Sequence, residues 1–250
     1  FPIKAGETLD DTAQHLLATL SINPQVNFSL AQRQQLWTHL WGLHLKRELW
    51  RVGGINSALL EPSEFQTGVL NTLRSTVMDI PEAQLYLSDC SGITDLSSLA
   101  GLDTIHNLAL WNCTGIGDLS FMKNLSSLER LGLIGCTAVS DISPLAGLSR
   151  LVALTLTGCT QIRDFSYLAR LFGLEELGLA YDTNIRDLAP LTGLTALREL
   201  SLNGCTAIRD LAPLTGLSNL RELDLQGCTG LKKEQVEALR VELPVCVIHF

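Results

Sequence analysis

Cysteine has the widest chemical repertoire of any residue type in this chain, which carries seven. A thiolate can act as nucleophile, bind a soft metal or form half of a disulfide. The spacing argues against all three. Cys90, Cys113, Cys136, Cys159, Cys205 and Cys228 fall on a 23-residue period, and Asp182 stands at the one gap in the series. Disulfide frameworks and zinc sites need paired or clustered cysteines. A single cysteine at the same place in each repeated unit reads instead as a column of small buried hydrophobes in a reducing compartment. His39 and His44 are five apart, not the i,i+4 of a helical metal pair. No P-loop, H-E-x-x-H, C-x-x-C or G-x-S-x-G motif occurs. No catalytic, cofactor or metal set is therefore assigned. Arg163, Arg186, Arg209 and Lys232 form a basic column, which as a stacked rail could read phosphates. In the three arginine copies the next residue is an aspartate, and the two columns are expected to neutralise each other.

The element that must position these residues is a repeat. Leu-x-Leu pairs recur at Leu85/Leu87, Leu108/Leu110, Leu131/Leu133, Leu154/Leu156, Leu177/Leu179, Leu200/Leu202 and Leu223/Leu225, with no insertion from Leu85 to Cys228. Such a period signals a solenoid. Paired leucines two apart lie on one face of a short strand. Parallel strands from successive copies then stack about 4.8 Å apart into one sheet. Ile93, Ile116, Val139, Ile162, Ile185 and Ile208 re-enter the core. Asp95, Asp118, Asp141, Asp164, Asp187 and Asp210 fall where an N-cap would start a short return helix or 3₁₀ turn. Pro144, Pro190 and Pro213 suit its first turn, and Gly101, Gly147, Gly193 and Gly216 its end.

The unit L-x-L-x-G-C-T-x-I-x-D-L-x-P-L-x-G-L-x-x-L resembles the leucine-rich repeat family over residues 85–250, with Cys where many members carry Asn. The Gly-Cys-Thr form is similar to bacterial cytosolic repeats, including the sensor arms at the C-terminal end of bacterial NACHT-type NTPases. The resemblance implies the ligand-sensing arm of a larger cytoplasmic signalling or defence protein. No NTPase motif lies in this chain.

The expected fold is a right-handed α/β solenoid whose parallel sheet lines the concave face, capped at its N-terminus by helices. Residues 1–84 form the capping or linker region. Residues 85–250 form seven repeats, a capping helix over 232–240 and a closing strand over 245–249. Helices are expected over 7–20, 30–52 and 62–78. The middle one carries Trp37, Trp41 and Trp50 on more than one side, so part of it is expected to face an upstream domain. A free-standing adaptor with a complete cap is the competing reading. The first residues show no initiator Met and no signal peptide, which suggests a fragment or processed chain. No apolar run is long enough to span a membrane. A net charge of −8 makes nucleic acid an unexpected partner.

Positions that vary between copies are free to bind a protein ligand. On the strands these are the columns flanking the leucines. Tyr86, Trp111 and Ile134 form an aromatic and apolar cluster near one end, with Asn107 and Arg130 beside it. Glu176, Glu199, Glu222 and Asp224 form an acidic patch at the other end, flanked by Arg198 and Arg221. Tyr181-Asp182-Thr183-Asn184 departs from the repeat and is expected to be a recognition loop. A buried Asp182 would have to be solvated, hydrogen-bonded or protonated.

Overall fold

The computed structural model describes residues 83–88 and 93–250. Within them the chain builds one eight-stranded sheet in the order β1 to β8. The strands are β1 (Ala83–Ser88), β2 (Ile105–Trp111), β3 (Arg130–Gly132), β4 (Ala153–Thr155), β5 (Glu176–Gly178), β6 (Glu199–Ser201), β7 (Glu222–Asp224) and β8 (Val247–His249). All neighbours are parallel, and Leu85, Leu108, Leu131, Leu154, Leu177, Leu200 and Leu223 stand in one row across the sheet. This is the architecture of a leucine-rich-repeat solenoid. The helices expected over 7–20, 30–52 and 62–78, with His39, His44 and the upstream-domain contact, lie outside the described residues. So do Cys90 and the side chain of Tyr86.

The core follows from the period. Both leucines of each pair, the isoleucine column and the leucines of the return segments are buried. Each return segment is a short 3₁₀ helix: Ser97–Leu99, Ser120–Asn124, Ser143–Gly147, Ser166–Arg170, Ala189–Leu191 and Ala212–Leu214. The aspartate column starts these segments from one position earlier than expected. The residue next to each helix is a leucine, isoleucine or phenylalanine. The carboxylate reaches over it to accept the N–H two residues on, as Asp118 does from Ser120 at 2.8 Å and Asp210 from Ala212 at 2.9 Å. Placing the aspartate outside lets the intervening apolar residue drop into the core.

The cysteines fill a second ladder. Each thiol donates to the carbonyl of the leucine 26 residues earlier: Cys113 to Leu87, Cys136 to Leu110, Cys159 to Leu133, Cys205 to Leu179 and Cys228 to Leu202, at 2.7–3.6 Å. Just before each of these cysteines the chain turns through the left-handed region, with φ of 68°, 73°, 71° and 70° at Gly135, Gly158, Gly204 and Gly227. Asn112 (52°) and Tyr181 (60°) adopt the same conformation without being glycine.

The C-terminal end closes in a different register from the one expected. A constant period pairs Leu223 with Cys246, but Leu223 faces Ile248 and the strand starts at Val247. The cause is the α-helix α1 (Lys233–Glu242), which takes the place of a 3₁₀ turn and consumes two extra residues. Cys246 lies outside the cysteine column and takes no part in the thiol ladder; its weak donation goes to Val247. The Ile248 carbonyl accepts the Arg240 guanidinium at 2.7 Å.

Candidate recognition surface

Because side chains alternate across a strand, burying the leucines obliges their neighbours to face out. Three columns therefore line the open face of the sheet. Asn107, Arg130, Ala153, Glu176, Glu199 and Glu222 are cross-strand partners in the first; Ala109, Gly132, Thr155, Gly178, Ser201 and Asp224 are partners in the second. Trp111, Ile134, Thr157, Ala180, Asn203 and Gln226 follow in the third. Glycine, alanine, serine and threonine leave the middle of the face shallow.

At the N-terminal end Trp111 is 38% exposed. Its indole lies over Gly132, where a Cβ would come within 3.5 Å of Nε1. Ile134 is half-buried, so it flanks the indole rather than standing as a separate exposed anchor. Asn107 is half-buried as well. Arg130 is exposed and grips Glu176 with two guanidinium nitrogens, spanning β4 between them. Sequence reasoning missed this bridge because it joins residues 46 apart through the curvature of two repeats.

At the C-terminal end Glu176, Glu199, Glu222 and Asp224 surround an open hollow of about 310 Å³ with Thr155, Gly178 and Ser201. The arginines that flank this patch in the sequence do not pair with it. Arg198 pairs with Glu175, at 3.1 Å, and no ion pair joins Arg221 to the patch among the described residues. Glu222 faces His249 at 3.6 Å, a partner supplied by the closing strand and not foreseen. Asp224 accepts Asn203 and the Gln226 N–H. Glu199 has no ion-pair partner among the described residues. Repulsion between stacked carboxylates is thus left partly uncompensated, giving this end a negative potential.

Asp182 does not belong to the surface. It is 0% exposed, because the equivalent position in every neighbouring repeat points into the core. Its Oδ1 accepts the Asn184 N–H at 2.8 Å, while Oδ2 has no hydrogen-bond partner. The exposed member of that loop is Tyr181, at 61%. Its ring covers Gly204, where a Cβ would come within 2.7 Å of it.

The basic column is exposed, but the aspartates beside it are engaged with backbone N–H groups. The expected neutralising ion pairs do not form among the described residues. Arg209 instead donates to the carbonyls of Thr206 and Ile208. Burial pushes the thiols of Cys136, Cys159 and Cys205 up to about 12, so they stay protonated at neutral pH and are poor nucleophiles or ligands. Among the described residues no group of three His, Cys, Asp or Glu side chains is placed to hold a metal ion. None of their helices is long and apolar enough to cross a membrane. Apolar side chains that the sequence did not single out also reach solvent: Phe172 at a turn, and Val241, Val245, Val247 and Phe250 at the closing end.

Residues 173–216 match the family model described as Leucine Rich repeats (2 copies). No curated protein matches the chain. Among solved structures, internalin C2 from Listeria monocytogenes is 27% identical, with a TM-score of 0.51, over 72% of this chain and 74% of that one. A leucine-rich repeat protein of Leptospira interrogans is 18% identical with a TM-score of 0.51, covering 72% of this chain and 51% of its own. The leucine-rich repeat domain of the type III effector XopL is 18% identical with a TM-score of 0.57, over 90% of this chain and 96% of that domain. The chain therefore carries leucine-rich repeats and folds as their solenoid, an architecture that generally serves protein–protein recognition.

Proposed function

We propose that this chain is a non-catalytic recognition module that binds a protein ligand on the concave face of its sheet. The observation that carries this reading is the division of labour along the strands. The invariant positions are buried, and the varying ones present an exposed indole at one end and carboxylates at the other. A half-exposed tryptophan over a glycine is a preformed anchor, since it buries apolar area in a complex with little loss of side-chain freedom. The acidic end adds steering toward a basic region of the ligand.

In its finer form, the module is the sensing arm of a larger cytoplasmic signalling or defence protein. Its support is the resemblance of the Gly-Cys-Thr-x-Ile-x-Asp-Leu repeat to bacterial sensor arms.

The test is capture of a partner from host lysate by three forms of the chain, each first shown to fold by thermal melt. These are the wild type, Trp111→Ala, and the double variant Glu199→Gln/Glu222→Gln. The proposal expects a protein retained by the wild type and lost with Trp111→Ala, with binding to the acidic variant weakened mainly at low salt. A partner held equally by all three would place recognition off the concave face and end this reading.

A further inference from the structure

The thiol ladder has one rung without a thiol. In five described repeats the cysteine donates to the leucine carbonyl 26 residues earlier. By the same count the carbonyl facing position 182 belongs to Leu156, and Asp182 stands there in place of cysteine. The backbone at this repeat matches its neighbours. Tyr181 has the left-handed φ of the glycines, and its N–H bonds Asn203 at 2.6 Å as that of Gly204 bonds Gln226 at 2.7 Å. Leu154, Leu177 and Leu200 keep register through it. The Cα–Cβ bond of Asp182 therefore leaves the backbone in the direction it takes in the cysteine repeats, with Oδ1 on the Asn184 N–H and Oδ2 buried.

We propose that Asp182 sits in the core as a neutral carboxylic acid whose Oδ2 hydroxyl donates to the Leu156 carbonyl, and that this rung is a pH-sensitive latch on the repeat that presents Tyr181. An ionised carboxylate cannot serve there. It has no hydrogen to donate, and it would aim a lone pair at a carbonyl lone pair. Oδ2 is buried and otherwise without a partner, whereas a donated hydrogen satisfies it. The titratable groups that face Asp182 from the adjacent repeats are the thiols of Cys159 and Cys205. Both are neutral until about pH 12 and offer no compensating positive charge. Burial accordingly raises the carboxyl above its ordinary value of 3.8, against the smaller opposing effect of the Asn184 and Ile185 backbone N–H groups.

The sign follows from linkage. A carboxyl bound more tightly to its proton in the folded state stabilises fully below pH 3.8, and that contribution is lost as pH rises through the folded value. On ionisation the rung opens, the turn at Tyr181 loosens and the tyrosine is no longer held over Gly204. This latch is independent of the concave-face reading.

The experiment is thermal unfolding of the full chain from pH 4 to pH 8, comparing wild type with Asp182→Asn and Asp182→Cys. Both substituents donate a hydrogen and stay neutral over this range. The wild-type Tm is expected to fall relative to both by about 3–5 °C per pH unit until Asp182 ionises in the folded state. Parallel curves for all three would overturn the latch. Should Asp182→Asn fail to fold, difference infrared spectra of wild type against Asp182→Cys decide at the acid end. A protonated-acid C=O band belonging to Asp182 supports the proposal, and its absence in the folded protein overturns it.

Discussion

Leu177 and Gly178 are successive residues of β5 and look in opposite directions, into the core and onto the open face. Truncating a core leucine here leaves a cavity between Leu154 and Leu200, its partners on the adjacent strands. Leu177→Ala is expected to cost about 2–5 kcal/mol in urea unfolding. Thr155, on the face beside Gly178, should change stability by no more than about 0.5 kcal/mol when replaced by alanine. A substitution on this face that abolishes binding without moving the unfolding midpoint therefore marks contact with ligand. Tyr181 is a different case. A side chain held at φ 60° costs of order 1–2 kcal/mol. Tyr181→Gly should raise stability by about 1 kcal/mol once the greater freedom of glycine in the unfolded chain is subtracted. If Tyr181 is a recognition residue, the same variant will be firmer and bind worse. The sequence shows that tyrosine and aspartate break the pattern at 181 and 182. The spacing puts Asp182 in the buried cysteine column, but the exposure of Tyr181 follows from the direction of its Cα–Cβ bond at a left-handed turn, which spacing does not report.

Among elements, the return segments matter most, because each aspartate fixes where its 3₁₀ helix begins. Removing the Asp141 acceptor for the Ser143 N–H should cost about 1 kcal/mol, read as a lower Tm for Asp141→Ala. By contrast the Arg130–Glu176 pair is exposed on both sides and its geometry, although bidentate, is screened by water. Arg130→Ala is expected to alter stability by less than about 1 kcal/mol at physiological salt. A larger loss of partner binding in the same variant would locate the guanidinium at the interface. The strands and their register were legible in the 23-residue leucine rhythm, since nothing interrupts it between β1 and β7. The last strand was displaced because a ten-residue α-helix spends residues differently from a 3₁₀ turn, and only three-dimensional closure reveals the difference. The acidic patch was legible as composition. Its actual partners, Arg130 and His249, were not, because curvature and the closing strand decide them.

At the scale of the whole molecule, acid and base act on opposite sets of carboxyls. Bonds from the Ser120 backbone and hydroxyl hold Asp118 below 3.8, and those from the Ser166 hydroxyl and backbone do the same for Asp164. Their contribution is present above that value and is lost as pH falls beneath it. Asp182 runs the other way, so the combined contribution of these three carboxyls should be greatest near their common ordinary value of 3.8 and decline on both sides in a pH series of melts. The closing end carries a further consequence. A stack of like strands is an unfinished crystal in one dimension: its last strand offers the next molecule the template that each strand offers its successor. Val247 spends its N–H, and His249 its carbonyl, on the strand behind, leaving the backbone N–H and carbonyl of the buried Ile248 on the outer edge. The Arg240 guanidinium occupies that carbonyl. Among the described residues that guanidinium takes up an edge acceptor a further strand would need, beside the exposed Val245, Val247 and Phe250.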